Sequence, residues 1–182
     1  TSTSTTGKLT TTGQQTWNSG ASYGWKLNLN NANAGGTTTL NSATLYTDTN
    51  GTNWDQLSMT SLSLAATSPA QVTLNVIGTN GPTGSGSPFS ANQNYQWIAA
   101  TVPTTGLAGN YVGAFNLNVA GIPAATGTFS AQFVADPANS SQQDFVVSYV
   151  APTPEPTSLA LLGVGAAGLL LRRRRRSSAR PC

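Results

Sequence analysis

Apolar residues recur at every second position along most of this chain, and that period constrains the fold more than any other feature. In Ser22–Asn30 the residues Tyr23, Trp25, Leu27 and Leu29 alternate with Gly24, Lys26 and Asn28. A side-chain period of two belongs to a strand with one buried face. Gln71–Ile77 places Val72, Leu74 and Val76 on one face, and Tyr111–Val119 does so with Tyr111, Phe115, Leu117 and Val119. Thr128–Val134 offers Phe129, Ala131 and Phe133, and Asp144–Val150 offers Phe145, Val147 and Tyr149. Thr38–Thr47 and Tyr95–Val102 read as further strands, and the Thr-rich residues 1–16 as a ragged first one. Turn-formers separate them: Asn50-Gly51, Asn80-Gly81-Pro82, Gly84 to Pro88, Gly106, Gly109 and Gly121. No segment before residue 150 shows a helical period, and no fixed-period repeat is visible. The pattern predicts an all-β domain over residues 1–150, an antiparallel β-sandwich or jelly-roll-like fold.

The chemical inventory of that domain is thin. The whole chain has no histidine, and its one cysteine is Cys182. Histidine-based triads, histidine metal sites and internal disulfides are excluded. Residues 1–150 contain four carboxylates, Asp48, Asp55, Asp136 and Asp144, and no glutamate. Hydrolysis by paired carboxylates requires two of them to face each other. Their placement near turn-formers reads instead as polar turn residues, so no catalytic residue is assigned and the protein is expected not to be an enzyme. Metal ligands are likewise unassigned, with one weak candidate. Asp48, Asn50, Asn53 and Asp55 surround Gly51 and present oxygens that calcium favours. The spacing is not that of an EF-hand, and Asn50-Gly51 is also a strong hairpin signal. Calcium is therefore the weaker reading, and no other cofactor is expected.

Aromatic residues offer a second candidate. Trp17, Trp25, Trp54 and Trp97, with Tyr23, Tyr46 and Tyr95, suit stacking on sugar rings wherever they are exposed. Trp25 shares the patterned face of Tyr23 and Leu27, and Trp97 adjoins Ile98, so both are expected in the core. Trp54, beside the Asn-Gly turn, is the residue expected at the surface and the candidate for carbohydrate binding.

The formal net charge of +3 misleads if read over the whole chain. Six of the eight basic residues are Arg172 to Arg176 and Arg180, whereas residues 1–150 carry Lys8 and Lys26 against four aspartates. A nucleic-acid surface needs clustered Lys and Arg. The domain has none, and no nucleic-acid partner is expected.

The last part of the chain follows other rules. Ala151–Pro156 is a Pro-rich linker holding Pro154-Glu155-Pro156, an apolar segment runs over 157–171, and Arg172 to Arg176 open a basic tail over 172–182. The prolines keep the motif extended. The apolar segment reads as a transmembrane helix, and the arginines as the stop that stays cytoplasmic. Fifteen residues at helical rise span about 22 Å, short of the roughly 30 Å of a bilayer core. An ordinary permanent anchor is the alternative reading, and the short span favours a transient one.

This order of features resembles the PEP-CTERM sorting signal of Gram-negative bacteria over residues 152–176. Pro154, Glu155 and Pro156 match its motif, Leu159–Leu171 its helix, and Arg172, Arg173, Arg174, Arg175 and Arg176 its basic cluster. Ser177 to Cys182 extend past the usual ending. The resemblance implies recognition by exosortase, a membrane processing enzyme, and an exopolysaccharide-producing host. It implies a precursor held in the inner membrane with residues 1–150 outside the cytoplasm, then delivery to the cell surface or matrix. A signal peptide removed from the front of the chain is expected on the same ground. The resulting expectation is an exported, noncatalytic envelope or extracellular-matrix protein with a structural or adhesive role. A polysaccharide-binding β-sandwich is the alternative, and a small secreted hydrolase the least favoured.

Overall fold

The computed structural model describes residues 6–47, 51–65, 71–80, 86–109, 113–122 and 126–153. The chain divides after Pro152. The unit before it is all-β. The expected transmembrane helix over 157–171 lies outside the described residues. Among the described residues, no helix is long and apolar enough to cross a membrane.

The described strands are β1 (Lys8–Trp17), β2 (Ser22–Asn28), β3 (Gly36–Leu40), β4 (Ala43–Thr47), β5 (Gln56–Leu64), β6 (Val72–Thr79), β7 (Tyr95–Pro103), β8 (Leu107–Gly109), β9 (Phe115–Gly121), β10 (Thr128–Ala135) and β11 (Gln142–Val150). They form two sheets. The larger runs β1-β5-β7-β11-β10, with β8 beside β5 and the β3–β4 pair attached to β7. The smaller runs β2-β6-β9.

Strand direction departs from the expected antiparallel sandwich. The smaller sheet is parallel throughout, and β1 pairs β5 in parallel. β5 in turn pairs β7 and β8 in parallel. Antiparallel pairing occurs in β3–β4, β7–β11 and β10–β11. The cause is the route of the chain. It passes from the larger sheet to the smaller three times, from β1 to β2, from β5 to β6, and from β8 to β9. Successive passes lie side by side in the same sense, so their strands pair in parallel. Alternation reports which face of a strand is buried; it carries nothing about direction.

The period-two residues meet in register. Tyr23 lies beside Leu74 and Trp25 beside Val76, while Val72 lies beside Phe115 and Leu74 beside Leu117. These residues make the inner face of the smaller sheet. Its other face is largely polar, with Ile77 exposed on it. The Asn118 amide donates to Asn75 Oδ1 at 2.9 Å, and the Asn75 amide donates to Ser22 Oγ at 2.6 Å. Trp25, Leu27, Leu74 and Val76 pack with Leu57, Met59, Leu62, Trp97, Phe145 and Tyr149 in one core. Trp25 and Trp97 are both fully buried with ring centroids 5.7 Å apart, as expected of the two core tryptophans. A second, smaller cluster of Leu45, Ile98 and Val146 makes β7 and β11 apolar on both faces.

Two local expectations are corrected. Thr38–Thr47 is a hairpin rather than one strand. Asn41 and Ser42 both take positive φ, 50° and 64°, which closes the two-residue turn between β3 and β4. Asn50 of the expected Asn50-Gly51 hairpin lies outside the described residues, and the strands on either side do not pair with each other: β4 pairs β3 and β7, whereas β5 pairs β1, β7 and β8.

Candidate functional site

The sorting-motif residues Pro154, Glu155 and Pro156 and the arginines Arg172–Arg176 lie outside the described residues. So do Asp48 and Asn50 of the calcium candidate. The other half of that candidate is engaged within the protein. Asn53 is buried and its Oδ1 accepts from the Asn31 side-chain amide. Asp55 accepts the Gly7 backbone N–H on Oδ1 at 2.9 Å and the Lys26 backbone N–H on Oδ2 at 3.1 Å. No group of three or more potential metal ligands occurs among the described residues.

Trp54 overturns its expectation. It is fully buried, and its indole N–H donates to the Ile98 carbonyl at 2.9 Å. An isolated bridge to Leu27 carries it inward from the turn. A surface carbohydrate contact through Trp54 is therefore excluded. The tryptophan that keeps partial exposure is Trp17, at the end of β1.

Trp17 belongs to a cleft of about 510 Å3 on the side of the domain where β1 and β2 are the outermost strands of their sheets. Its lining includes Thr11, Gln15, Trp17, Tyr23, Lys26, Asp55 and Gln56. The volume falls in the range of small-molecule sites, about 300–1,000 Å3. β1 supplies one wall. Its register sets Thr11 beside Met59, Gln15 beside Leu62 and Trp17 beside Leu64. Those partners are core residues, so β1 presents threonine and glutamine where its neighbour presents hydrocarbon. β2 supplies Tyr23, whose ring centroid lies 5.5 Å from that of Trp17 with planes inclined at 31°. Trp17 is braced from behind by edge contacts with Phe115 and Phe145 at 6.1 and 6.3 Å.

Asp55 fixes the rim. Its side chain joins the start of β1 to β2, its backbone N–H donates to the Lys26 carbonyl at 2.9 Å, and its carbonyl accepts the Trp25 indole N–H at 2.8 Å. Burial pushes the Asp55 carboxyl above its ordinary range, against the two backbone donors and the Lys26 charge that favour its ionised form. Burial pushes the Tyr23 phenol up to about 12, with the neighbouring Asp55 charge adding to the effect. Tyr23 is thus a neutral hydroxyl at any physiological pH. Two polar atoms of lining residues have no partner among the described residues: Gln56 Oε1, on a residue only 7% exposed, and Thr11 Oγ1.

The other carboxylates lie elsewhere. Asp136 is a turn residue as expected, accepting the backbone N–H of Ala138 at 2.7 Å and of Asn139 at 3.1 Å. Asp144 is not a turn residue. It sits within β11 beside Thr101 of β7 and Val134 of β10, fully buried, with neither oxygen hydrogen-bonded among the described residues. Burial first, and the Asp136 charge second, push its carboxyl up to about 7.

Sequence reasoning named Trp17 and Tyr23 among the aromatics but assigned neither to a site, and it did not single out Thr11, Gln15 or Gln56. The available signal was glutamine and threonine spaced as inward-facing residues of the first strand.

Comparison with protein families matches residues 152–176 to the PEP-CTERM protein-sorting motif. Neither the curated proteins nor the solved structures give a match to the chain.

Proposed function

Starting from the PEP-CTERM protein-sorting motif that this chain carries, we propose that the protein is a noncatalytic component of the cell envelope or extracellular matrix, with a structural or adhesive role. The motif marks an exported protein sorted by exosortase, a membrane enzyme. That match is the observation that carries the reading. The chain preceding the motif is a β-domain whose core is held by packing, with no cysteine before Cys182.

Three features support a noncatalytic role. The described carboxylates are Asp55, engaged by two backbone donors, Asp136, engaged in a turn, and Asp144, buried in a strand. The sequence has no histidine to serve as base or metal ligand. The exterior of the smaller sheet carries a hydrogen-bonded row of uncharged side chains, Ser22, Asn75 and Asn118, beside Lys26 and Ile77. Such a surface suits contact with hydrated polymer better than chemistry.

Fractionation of the native host tests the proposal. Residues 1–150 should be accessible to protease in intact spheroplasts, and deletion of the gene should weaken cell-to-cell or cell-to-matrix cohesion. Full protection from protease, or unchanged cohesion with the protein absent, would contradict it.

A further inference from the structure

We propose that the cleft between β1 and β2 is a saccharide-binding site for neutral, hydroxyl-rich glycans. The proposal goes beyond the sorted-envelope reading and is independent of it, because the cleft is built by residues of the β-domain alone.

Four observations converge. The first is shape: a cleft of about 510 Å3 lies along the two outermost strands, where an extended chain can pass without threading. The second is the aromatic wall. Trp17 and Tyr23 lie adjacent and partly buried, and Trp17 is braced by Phe115 and Phe145. Large amphipathic rings held rigid offer apolar contact at low entropic cost. The C–H faces of a pyranose ring suit such a wall.

The third observation is the unsatisfied polar pair. A buried acceptor without a partner costs about 1–3 kcal/mol. Each such group calls for a physical explanation, and a hydroxyl that enters from the cleft as these side chains turn toward it is the one proposed here. Gln56 Oε1 is an acceptor only, so it calls for a hydroxyl or amide donor and repels an anion. Thr11 Oγ1 both donates and accepts. Gln15 adds a further amide. The pattern fits a ligand bearing many hydroxyls.

The fourth observation is charge. Lys8 and Lys26 against Asp55 leave the lining an excess of only one positive charge, and the Asp55 oxygens are already held by backbone donors. A uronic-acid or phosphate polymer would need clustered cations, and the lining has no arginine. Neutral glycans are therefore favoured over acidic ones.

The test uses the full chain in a zwitterionic detergent free of sugar headgroups. The probes are neutral gluco-, manno-, galacto- and xylo-configured oligosaccharides of one to six units, with polygalacturonate alongside. Calorimetry reads binding, and tryptophan fluorescence reports the site, since Trp25, Trp54 and Trp97 are fully buried and Trp17 is not. At least one neutral series should bind saturably, with affinity rising with chain length and with a change in fluorescence. Trp17→Ala should weaken binding by about tenfold or more. Because Trp17 also packs on Phe115 and Phe145, Gln15→Ala is the companion variant. It should weaken binding about threefold to tenfold, with the unfolding midpoint unchanged. Absence of binding across the neutral panel by folded protein would overturn the proposal. So would preference for polygalacturonate, or undiminished binding by folded Gln15→Ala.

Discussion

Trp54 donates its indole N–H to the carbonyl oxygen of Ile98 across 2.9 Å of fully buried space, joining the segment that precedes β5 to the centre of β7. The bond serves two ends. It satisfies a polar group that burial would otherwise penalise, and it fixes the ring that fills the interior beside Leu27. Replacing Trp54 by Phe should remove the indole donor from the Ile98 carbonyl and cost about 1–3 kcal/mol. Trp54→Ala adds a cavity and should cost about 3–5 kcal/mol. Urea unfolding followed by far-ultraviolet circular dichroism reads both. A Trp54→Ala variant as stable as the parent would show that the ring lies at the surface.

Gly35 should tolerate no side chain. Its φ is +100°, and a Cβ there would collide with the carbonyl oxygen of Thr47. The glycine lets the chain entering β3 pass against the end of β4. Gly35→Ala should cost about 2 kcal/mol or more by the same unfolding assay. Gly20→Ala is the control: φ is positive there too, +78°, but the space is open, so its cost should be distinctly smaller.

Asp144 should make the domain less stable as pH rises. Its carboxyl is pushed up to about 7 in the folded protein, mainly by burial, with Asp136 adding to the effect. In the unfolded chain an aspartate titrates near 3.9. Between these values the folded state holds a proton that the unfolded state has released. The stabilisation is therefore complete below about pH 4 and is lost as pH rises through about 7. The loss should be on the order of 4 kcal/mol by pH 8. Asp55, also raised, contributes in the same direction. Asp144→Asn should be more stable than the parent at pH 8 and should leave only a shallow slope. Unfolding free energies at several pH values between about 4 and 8 decide it. A parent that gains stability across that interval would contradict the account.

Much of the core could be read from alternation. Tyr23, Trp25, Leu27, Val72, Leu74, Val76 and Phe145 pattern at period two and do pack inward. What could not be read has identifiable causes. The strand Gln56–Leu64 was hidden because its inward residues are Leu57 and Met59, then Leu62 and Leu64, a slip that follows the irregularity between Thr11 and Gln14. Strand direction was not encoded, since parallel and antiparallel strands bury the same alternating face. Trp54 stands in a run of turn-formers, and only its contacts with Leu27 and Ile98, distant in sequence, bring it inside. The cleft was obscure for the opposite reason. Thr11 and Gln15 look like ordinary surface residues until Met59 and Leu62 are seen beside them.

The sorting motif was legible from the order of its parts, because each acts locally. Glu155 is the one acidic residue after Asp144. Glu155→Ala should leave membrane insertion intact, since insertion depends on the apolar segment over 157–171, and should block processing. Deleting Arg172–Arg176 should weaken retention at the membrane before processing. Carbonate extraction of membranes separates the two effects. A Glu155→Ala protein that fails to insert would contradict this division of labour.

Intact mass spectrometry of the protein from its native host, with and without an active exosortase, tests the sorting account most directly. The account predicts that the host with the enzyme yields a mature chain lacking residues 159–176, and that the host without it accumulates the uncut form. A chain that keeps residues 159–176 in both hosts would make the segment a permanent anchor and would contradict the account.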